Sequence, residues 1–258
     1  MQLVTGSKGF IGRAYCSHFP CVGVDLKAKT DCLDYMTSMV FPTVDSIIHL
    51  AAVSGILDCN KRPLASLNNN IMSTVTMLDM ARVHKKKIVL ASSAAVENPT
   101  NPYAAGKLAG EAIAIAYNNT YGVDYCALRF ANVYGPDSSD KDSVIAKMCK
   151  DAIRENKITV YSDGEQKRDF IYIDDIVEAI YVTSTGNSKK LYQVGTGVLT
   201  SINEVAQMIK DLTSCEIEHK ESPRKETTPQ ESDVPLLKGT TELKDGLLKT
   251  LEWFNANL

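Results

Sequence analysis

Tyr103 and Lys107 stand four residues apart in the run Tyr103-Ala104-Ala105-Gly106-Lys107. That spacing puts a phenol and an ammonium group on one face of a helix. A tyrosine on its own, with a pKa of ~10, is a poor base at neutral pH. A cation beside it favours the phenolate, which can then take a proton from a hydroxyl while a hydride leaves the same carbon. The pair gains weight from its position, on the helix that follows Ala91-Ser92-Ser93 at the end of a candidate strand.

A second group lies at the start of the chain. In Thr5-Gly6-Ser7-Lys8-Gly9-Phe10-Ile11-Gly12 the glycines follow the G-x-x-G-x-x-G spacing, between a first strand and the following helix. Glycines there let the backbone turn tightly and approach a pyrophosphate resting on the helix N-terminus. Asp25 ends the second candidate strand. A carboxylate at that point accepts hydrogen bonds from ribose hydroxyls and repels a 2′-phosphate, which favours NAD over NADP. Lys27 is close enough in sequence to keep NADP in view.

The elements that must position these groups read as follows. Candidate strands are Gln2 to Thr5, Cys21 to Asp25, Ser46 to Leu50, Lys87 to Ser92 and Tyr125 to Phe130, with helices clearest at Leu64 to His84 and Tyr103 to Asn118. Strands alternating with crossover helices signal a parallel sheet covered on both faces. Ile47-Ile48 and Ile88-Val89-Leu90 do not alternate in polarity, as befits strands buried on both sides. Past Pro136 the pattern changes, with helices near 142–155, 174–183, 203–212 and 242–255 and short strands at 158–161 and 191–194. Ser201 and Glu204 have the spacing of a capping box, and residues 219–233 form a polar loop. The fold class is α/β: a Rossmann doubly wound parallel sheet with a smaller mixed α/β substrate-binding domain. The expected division is 1–134 for the dinucleotide, with a return contribution from 171–196, and 135–170 plus 197–258 for the substrate.

Composition narrows the possibilities. With 258 residues, 44% hydrophobic and 23% charged, the chain is ordinary for a globular protein. Its 28 Lys and Arg against 31 Asp and Glu leave a net charge of -3 and no basic stripe, which argues against nucleic acid as a partner. No apolar run approaches the ~20 residues of a membrane span. The opening Met1-Gln2-Leu3-Val4-Thr5-Gly6 has no signal-like core, so the expectation is a chain that begins in its fold and works in the cytoplasm. Seven cysteines without a C-x-x-C pair and four histidines without H-x-x-x-H spacing point to reduced cysteines used as small core residues and to no metal site.

Taken together and in order, these motifs resemble the extended short-chain dehydrogenase/reductase family, the NAD-dependent nucleotide-sugar epimerases and dehydratases. The residues that carry the resemblance are Thr5 to Gly12, Ile48-His49-Leu50-Ala51-Ala52, Ser92-Ser93-Ala94-Ala95-Val96, Tyr103 to Lys107, Leu128 to Pro136 and Asp163 to Phe170. The resemblance implies that Gly6, Gly9, Phe10, Ile11, Gly12, Asp25, Leu50, Ala51, Ala52, Asn70, Tyr103 and Lys107 bind NAD. It places Asp31 and Cys32 against adenine. Ser93 hydrogen-bonds the reacting sugar oxygen beside Tyr103, Asn132 approaches the substrate diphosphate, and Arg168 and Arg224 pair with its phosphates.

Two departures bear on the reaction. Where the family's dehydratases carry an Asp and a Glu that drive elimination, this chain has Ala94 and Ala95, which cannot move protons. The resemblance therefore implies inversion at C4 through a transient 4-keto sugar, on a UDP-sugar, with glucose and N-acetylglucosamine both open. The second departure is a shortened segment between Ser93 and Tyr103, with Glu97-Asn98 in place of the usual Tyr-Gly. A reductase of a 4-keto-6-deoxy nucleotide sugar and a non-catalytic NAD-binding regulator remain as alternatives. Family members also dimerise through two helices, matched here by 64–84 and 103–118, so a homodimer is expected.

Overall fold

A computed structural model of the chain describes residues 1–25, 43–221, 234 and 236–258. Asp31, Cys32 and Arg224 lie outside the described residues. Two compact units divide the chain, the first comprising 1–130, 177–193 and 232–235, the second 131–176, 194–231 and 236–258.

The first unit is built on parallel strands. Strand β1 (Gln2–Thr5) runs into helix α1 (Phe10–His18) and strand β2 (Cys21–Val24). After β3 (Ser46–His49) come α2 (Ile56–Lys61) and α3 (Pro63–His84), then β4 (Lys87–Ser93), α4 (Pro102–Tyr121) and β5 (Tyr125–Phe130). Helix α6 (Ile173–Thr185) leads into β9 (Leu191–Gly195), which begins in this unit. The order β9-β5-β4-β3-β1-β2, parallel at each of the pairs β1–β2, β1–β3, β3–β4 and β4–β5, is a doubly wound sheet. The strand order reverses between β1 and β3, the switch point at which such sheets bind ligands beyond their carboxyl ends.

Every residue of β1 and β3 is buried. Leu3, Ile47 and Ile88 meet Met77, Leu78 and Ala81 of α3 and Ala114 of α4 in one apolar cluster. At ~25 cal/mol per Å² of apolar surface removed from water, this burial is the main force holding helices to sheet. Helix starts follow local chemistry. Asn101 caps α4 by accepting the Ala104 amide at 3.0 Å, and Pro102 supplies the fixed φ that suits a first turn.

In the second unit, α5 (Val144–Glu155) and α7 (Ile202–Thr213) pack on β7 (Lys157–Tyr161), α7 also on its parallel neighbour β11 (Glu216–Lys220), and α8 (Leu243–Asn257) packs on both helices. A separate ladder joins β6 (Asn132–Tyr134), β8 (Lys167–Tyr172) and β10 (Leu199–Ser201). The Ser201–Glu204 capping box is formed at the start of α7, with both reciprocal bonds present. Strand β12 (Leu236–Lys238) is short, and Gly239 beyond it donates its amide to the Gly195 carbonyl at 2.8 Å.

One expectation is corrected. Cys16 and Cys21 form a disulfide, their Cα atoms 5.8 Å apart. Cys16 sits in the last turn of α1 and Cys21 opens β2; so short a reversal brings both sulfurs into reach. Cys59, Cys126, Cys149 and Cys215 are buried free thiols.

Candidate active site

The carboxyl ends of β1, β3 and β4 converge in the first unit. After β1 the chain turns at Gly6, whose φ of +72° is the left-handed region that favours glycine. A Cβ there would lie 2.8 Å from the Ala51 amide nitrogen, and one on Gly12 would lie 2.1 Å from the Gly6 carbonyl. Side chains at either position would therefore close the loop on itself. What remains is a bare backbone cradle at the N-terminus of α1, the form a pyrophosphate requires. At the end of β2 the Asp25 carboxylate accepts the Lys8 amide at 2.8 Å, which holds an acidic group beside that cradle. These residues fit a dinucleotide.

The loop after β3 is pinned by Asn70 of α3. Its Oδ1 accepts the Val53 amide at 2.8 Å and its Nδ2 donates to the Val53 carbonyl at 3.1 Å. Ala51, Ala52 and Asn70 line a polar cavity of about 20 Å³ together with His49 and Lys107. A volume of that order holds about one water molecule.

Ser93 ends β4 in an extended conformation, and its Oγ accepts the Ala95 amide at 3.2 Å, capping the 3-10 turn Ala94–Glu97. The same hydroxyl is near enough to the Tyr103 phenol to draw its pKa down. Tyr103 lies in the first turn of α4 and Lys107 one turn further, so the structure brings Ser93, Tyr103 and Lys107 together. Burial pushes the Tyr103 phenol up, opposed in part by the Ser93 hydroxyl. Lys107 donates to the Ala91 carbonyl at 2.7 Å, and burial lowers its ammonium to about 8. The expected help from Lys107 to the Tyr103 phenolate is not among the influences on that phenol. The ammonium is turned to the end of β4 instead, and burial dominates.

Two further residues singled out in the sequence fall in the second unit. Asn132 opens β6 and donates to the Asp169 carbonyl at 3.1 Å. Arg168 lies on β8, where one guanidinium nitrogen donates to the Lys167 carbonyl at 2.8 Å.

Other polar groups lie behind the site, with no role assigned to them from sequence. Glu111 stands one turn beyond Lys107 on α4, continuing the 103–107 spacing, and that periodicity was the signal available for it. Arg129 of β5 grips it with two bonds of 3.0 and 2.8 Å, and Ser92 donates to it at 2.5 Å. Glu97 approaches the same guanidinium at 3.7 Å. His49, at the end of β3, is 4% exposed. Burial, and then the charge of Lys107, lower its imidazole to about 3, so it is neutral at any working pH. Among the described residues no group of His, Cys, Asp and Glu is arranged to hold a metal ion.

A doubly wound sheet with a glycine cradle at its first crossover and a serine–tyrosine–lysine group near its switch point is the architecture of a dinucleotide-binding α/β enzyme. The chain belongs to the NAD dependent epimerase/dehydratase family, whose model matches residues 2–195. Its cofactor is NAD. It is 27% identical to a putative UDP-glucose 4-epimerase of Methanocaldococcus jannaschii, over 99% of this chain and 89% of that protein. It is 28% identical to a UDP-glucuronate 4-epimerase of Thermodesulfobacterium geofontis, over 84% of this chain and 74% of that protein. Its fold matches that of a UDP-glucose 4-epimerase from Thermotoga maritima solved with UDP-glucose. The TM-score is 0.85 at 23% sequence identity, over 99% of this chain and 98% of that one. Among the described residues no helix is long and apolar enough to cross a membrane.

Proposed function

We propose that this enzyme is a 4-epimerase of a UDP-hexose, inverting C4 through a transient 4-keto sugar. The observation that carries the reading is the approach of the Ser93 hydroxyl to the Tyr103 phenol, with Lys107 one helical turn away and Ala94 and Ala95 directly after Ser93. A hydroxyl pair, with alanines where an eliminating enzyme would carry carboxylates, suits proton removal from an alcohol and its return. NAD, when bound, supplies the hydride acceptor and gives the same hydride back.

The chain's residues do the rest. Tyr103, as phenolate, takes the C4 hydroxyl proton; Ser93 hydrogen-bonds the oxygen as it becomes a carbonyl; Lys107, its ammonium held by the Ala91 carbonyl, would hydrogen-bond the nicotinamide ribose. The glycine cradle and Asp25 hold the pyrophosphate and adenosine ribose, and Leu50, Ala51, Ala52 and Asn70 wall the cofactor. In the second unit Asn132 and Arg168 hold the substrate diphosphate. The UDP moiety is supported by the two relatives named above, a putative UDP-glucose 4-epimerase and a UDP-glucuronate 4-epimerase.

The test is a substrate panel of UDP-glucose, UDP-N-acetylglucosamine and UDP-glucuronate with NAD in catalytic amount. Epimer formed from one of them identifies the sugar. No epimer from any of them rejects the reading.

The enzyme is further proposed to be a homodimer. Support comes from apolar side chains left exposed on α3 and α4, among them Met72, Val83, Leu108 and Ile115, on the two helices that match the pair through which family members dimerise.

A further inference from the structure

His49 occupies a position where an apolar residue would be the default. It closes β3, a strand buried throughout, and a buried imidazole is costly unless both ring nitrogens find partners. Both do, on two different elements. Nδ1 lies 2.8 Å from Oγ1 of Thr5 at the end of β1, and Nε2 lies 3.3 Å from Oγ1 of Thr74 on α3.

The surrounding bonds fix where the protons are. The Thr74 hydroxyl donates to the Asn70 carbonyl at 2.8 Å, and a carbonyl can only accept. The Thr74 proton is thus spent, so the imidazole must donate to it from Nε2–H. In a neutral ring Nδ1 is then an acceptor, and the Thr5 hydroxyl must donate to it. The Thr5 oxygen in turn accepts the Ala51 amide at 3.2 Å. Every hydrogen in the chain points one way, from the Ala51 amide through Thr5, His49 and Thr74 to the Asn70 carbonyl.

Both ends of this chain matter to the cradle. Ala51 is the residue whose backbone faces Gly6, and Asn70 is the residue that pins Val53. We propose that His49 is a positioning residue: as the Nε2–H tautomer it ties β1, β3 and α3 together at the switch point and holds the loop after β3 at its spacing from the glycine cradle, so that the dinucleotide meets a preformed wall. The inference rests on the reading that Ala51 and Asn70 face the cofactor. It concerns how that wall is held.

The test is fluorescence titration of NADH against the whole protein and its variants, with melting curves alongside. His49→Leu strands the Thr5 donor and the Thr74 acceptor, and raises the Kd for NADH roughly tenfold, the scale of one buried group left unpaired. His49→Gln, whose amide carries one acceptor and one donor, recovers most of that loss. Thr74→Val breaks the same chain from another helix, raises the Kd in the same direction, and serves where His49→Leu does not fold. Combined with His49→Leu it adds less than the product of the two effects, because both cut one chain. A wild-type Kd in folded His49→Leu or Thr74→Val, with only the melting temperature lowered, makes His49 a packing residue and overturns the proposal. Asn70→Ala separates the premises: weakened NADH binding there leaves the placement of the cofactor standing, and unchanged binding removes that placement too.

Discussion

Tyr103 is a base that the protein alone holds protonated. Burial raises its phenol, the nearby Ser93 hydroxyl offsets only part of that, and Lys107 directs its ammonium to the Ala91 carbonyl. The phenolate therefore needs a change of surroundings that comes with the loaded site. Tyr103→Phe is expected to lower turnover by ~10²-fold or more while leaving NADH affinity within about twofold, since a general base contributes on that scale. Steady-state rates beside a binding titration check it; retained turnover assigns the proton to another group. Lys107 carries its own signature. Its folded pKa, about 8, lies below the ordinary 10.5, so between those values the unfolded chain holds a proton that the folded chain has released. Stability from this group therefore rises as pH climbs from about 8 to 10.5. Melting temperatures of wild type and Lys107→Met across that window should diverge in favour of wild type. Parallel curves would place the ammonium in solvent.

The site is assembled by the ends of elements. Ser93 closes β4, Tyr103 opens α4, and the group Ser92–Glu111–Arg129 lies behind them, joining β4, α4 and β5. Glu111 is buried and Arg129 nearly so, with side-chain exposures of 8% and 14%. Arg129→Met leaves the Glu111 and Glu97 carboxylates without their cation, and should cost about 3 kcal/mol, the lower end for breaking a buried ion pair. Urea denaturation measures it; a change below ~1 kcal/mol would mean that water already screens the pair. Much of this scale was legible in the sequence. Periodicity and turn residues place β1 and β5 at their observed ends and α3 and α4 to within a few residues, because those signals are local. What was not legible depends on contacts between elements. The His49 chain needs three of them at once, and the motif that contains His49 does not name its partners on β1 and α3. The Cys16–Cys21 bond depends on how abruptly α1 gives way to β2, and β6 and β10, three residues each, are too short for alternation to declare them. Lys107's orientation is set by the end of β4, which no 103–107 spacing encodes.

At the scale of the molecule, two units each bury a core of their own. The first contains the glycine cradle and the serine–tyrosine–lysine group; the second carries Asn132 and Arg168. For the proposed homodimer, Ile115 of α4 is 49% exposed, and Ile115→Lys should shift sedimentation from dimer to monomer, since a buried unpaired charge disfavours such an interface. A wild type that sediments as a monomer removes that proposal without touching the chemistry. The chemistry itself turns on one carbon and one hydride. The most direct measurement offers UDP-glucose and UDP-N-acetylglucosamine, each deuterated at C4, to the enzyme with catalytic NAD, and follows the products by NMR. The account predicts a C4 epimer in excess over cofactor with the deuterium still on C4. Epimer that has lost the label to solvent, or reduced cofactor accumulating with no epimer from either sugar, would contradict it.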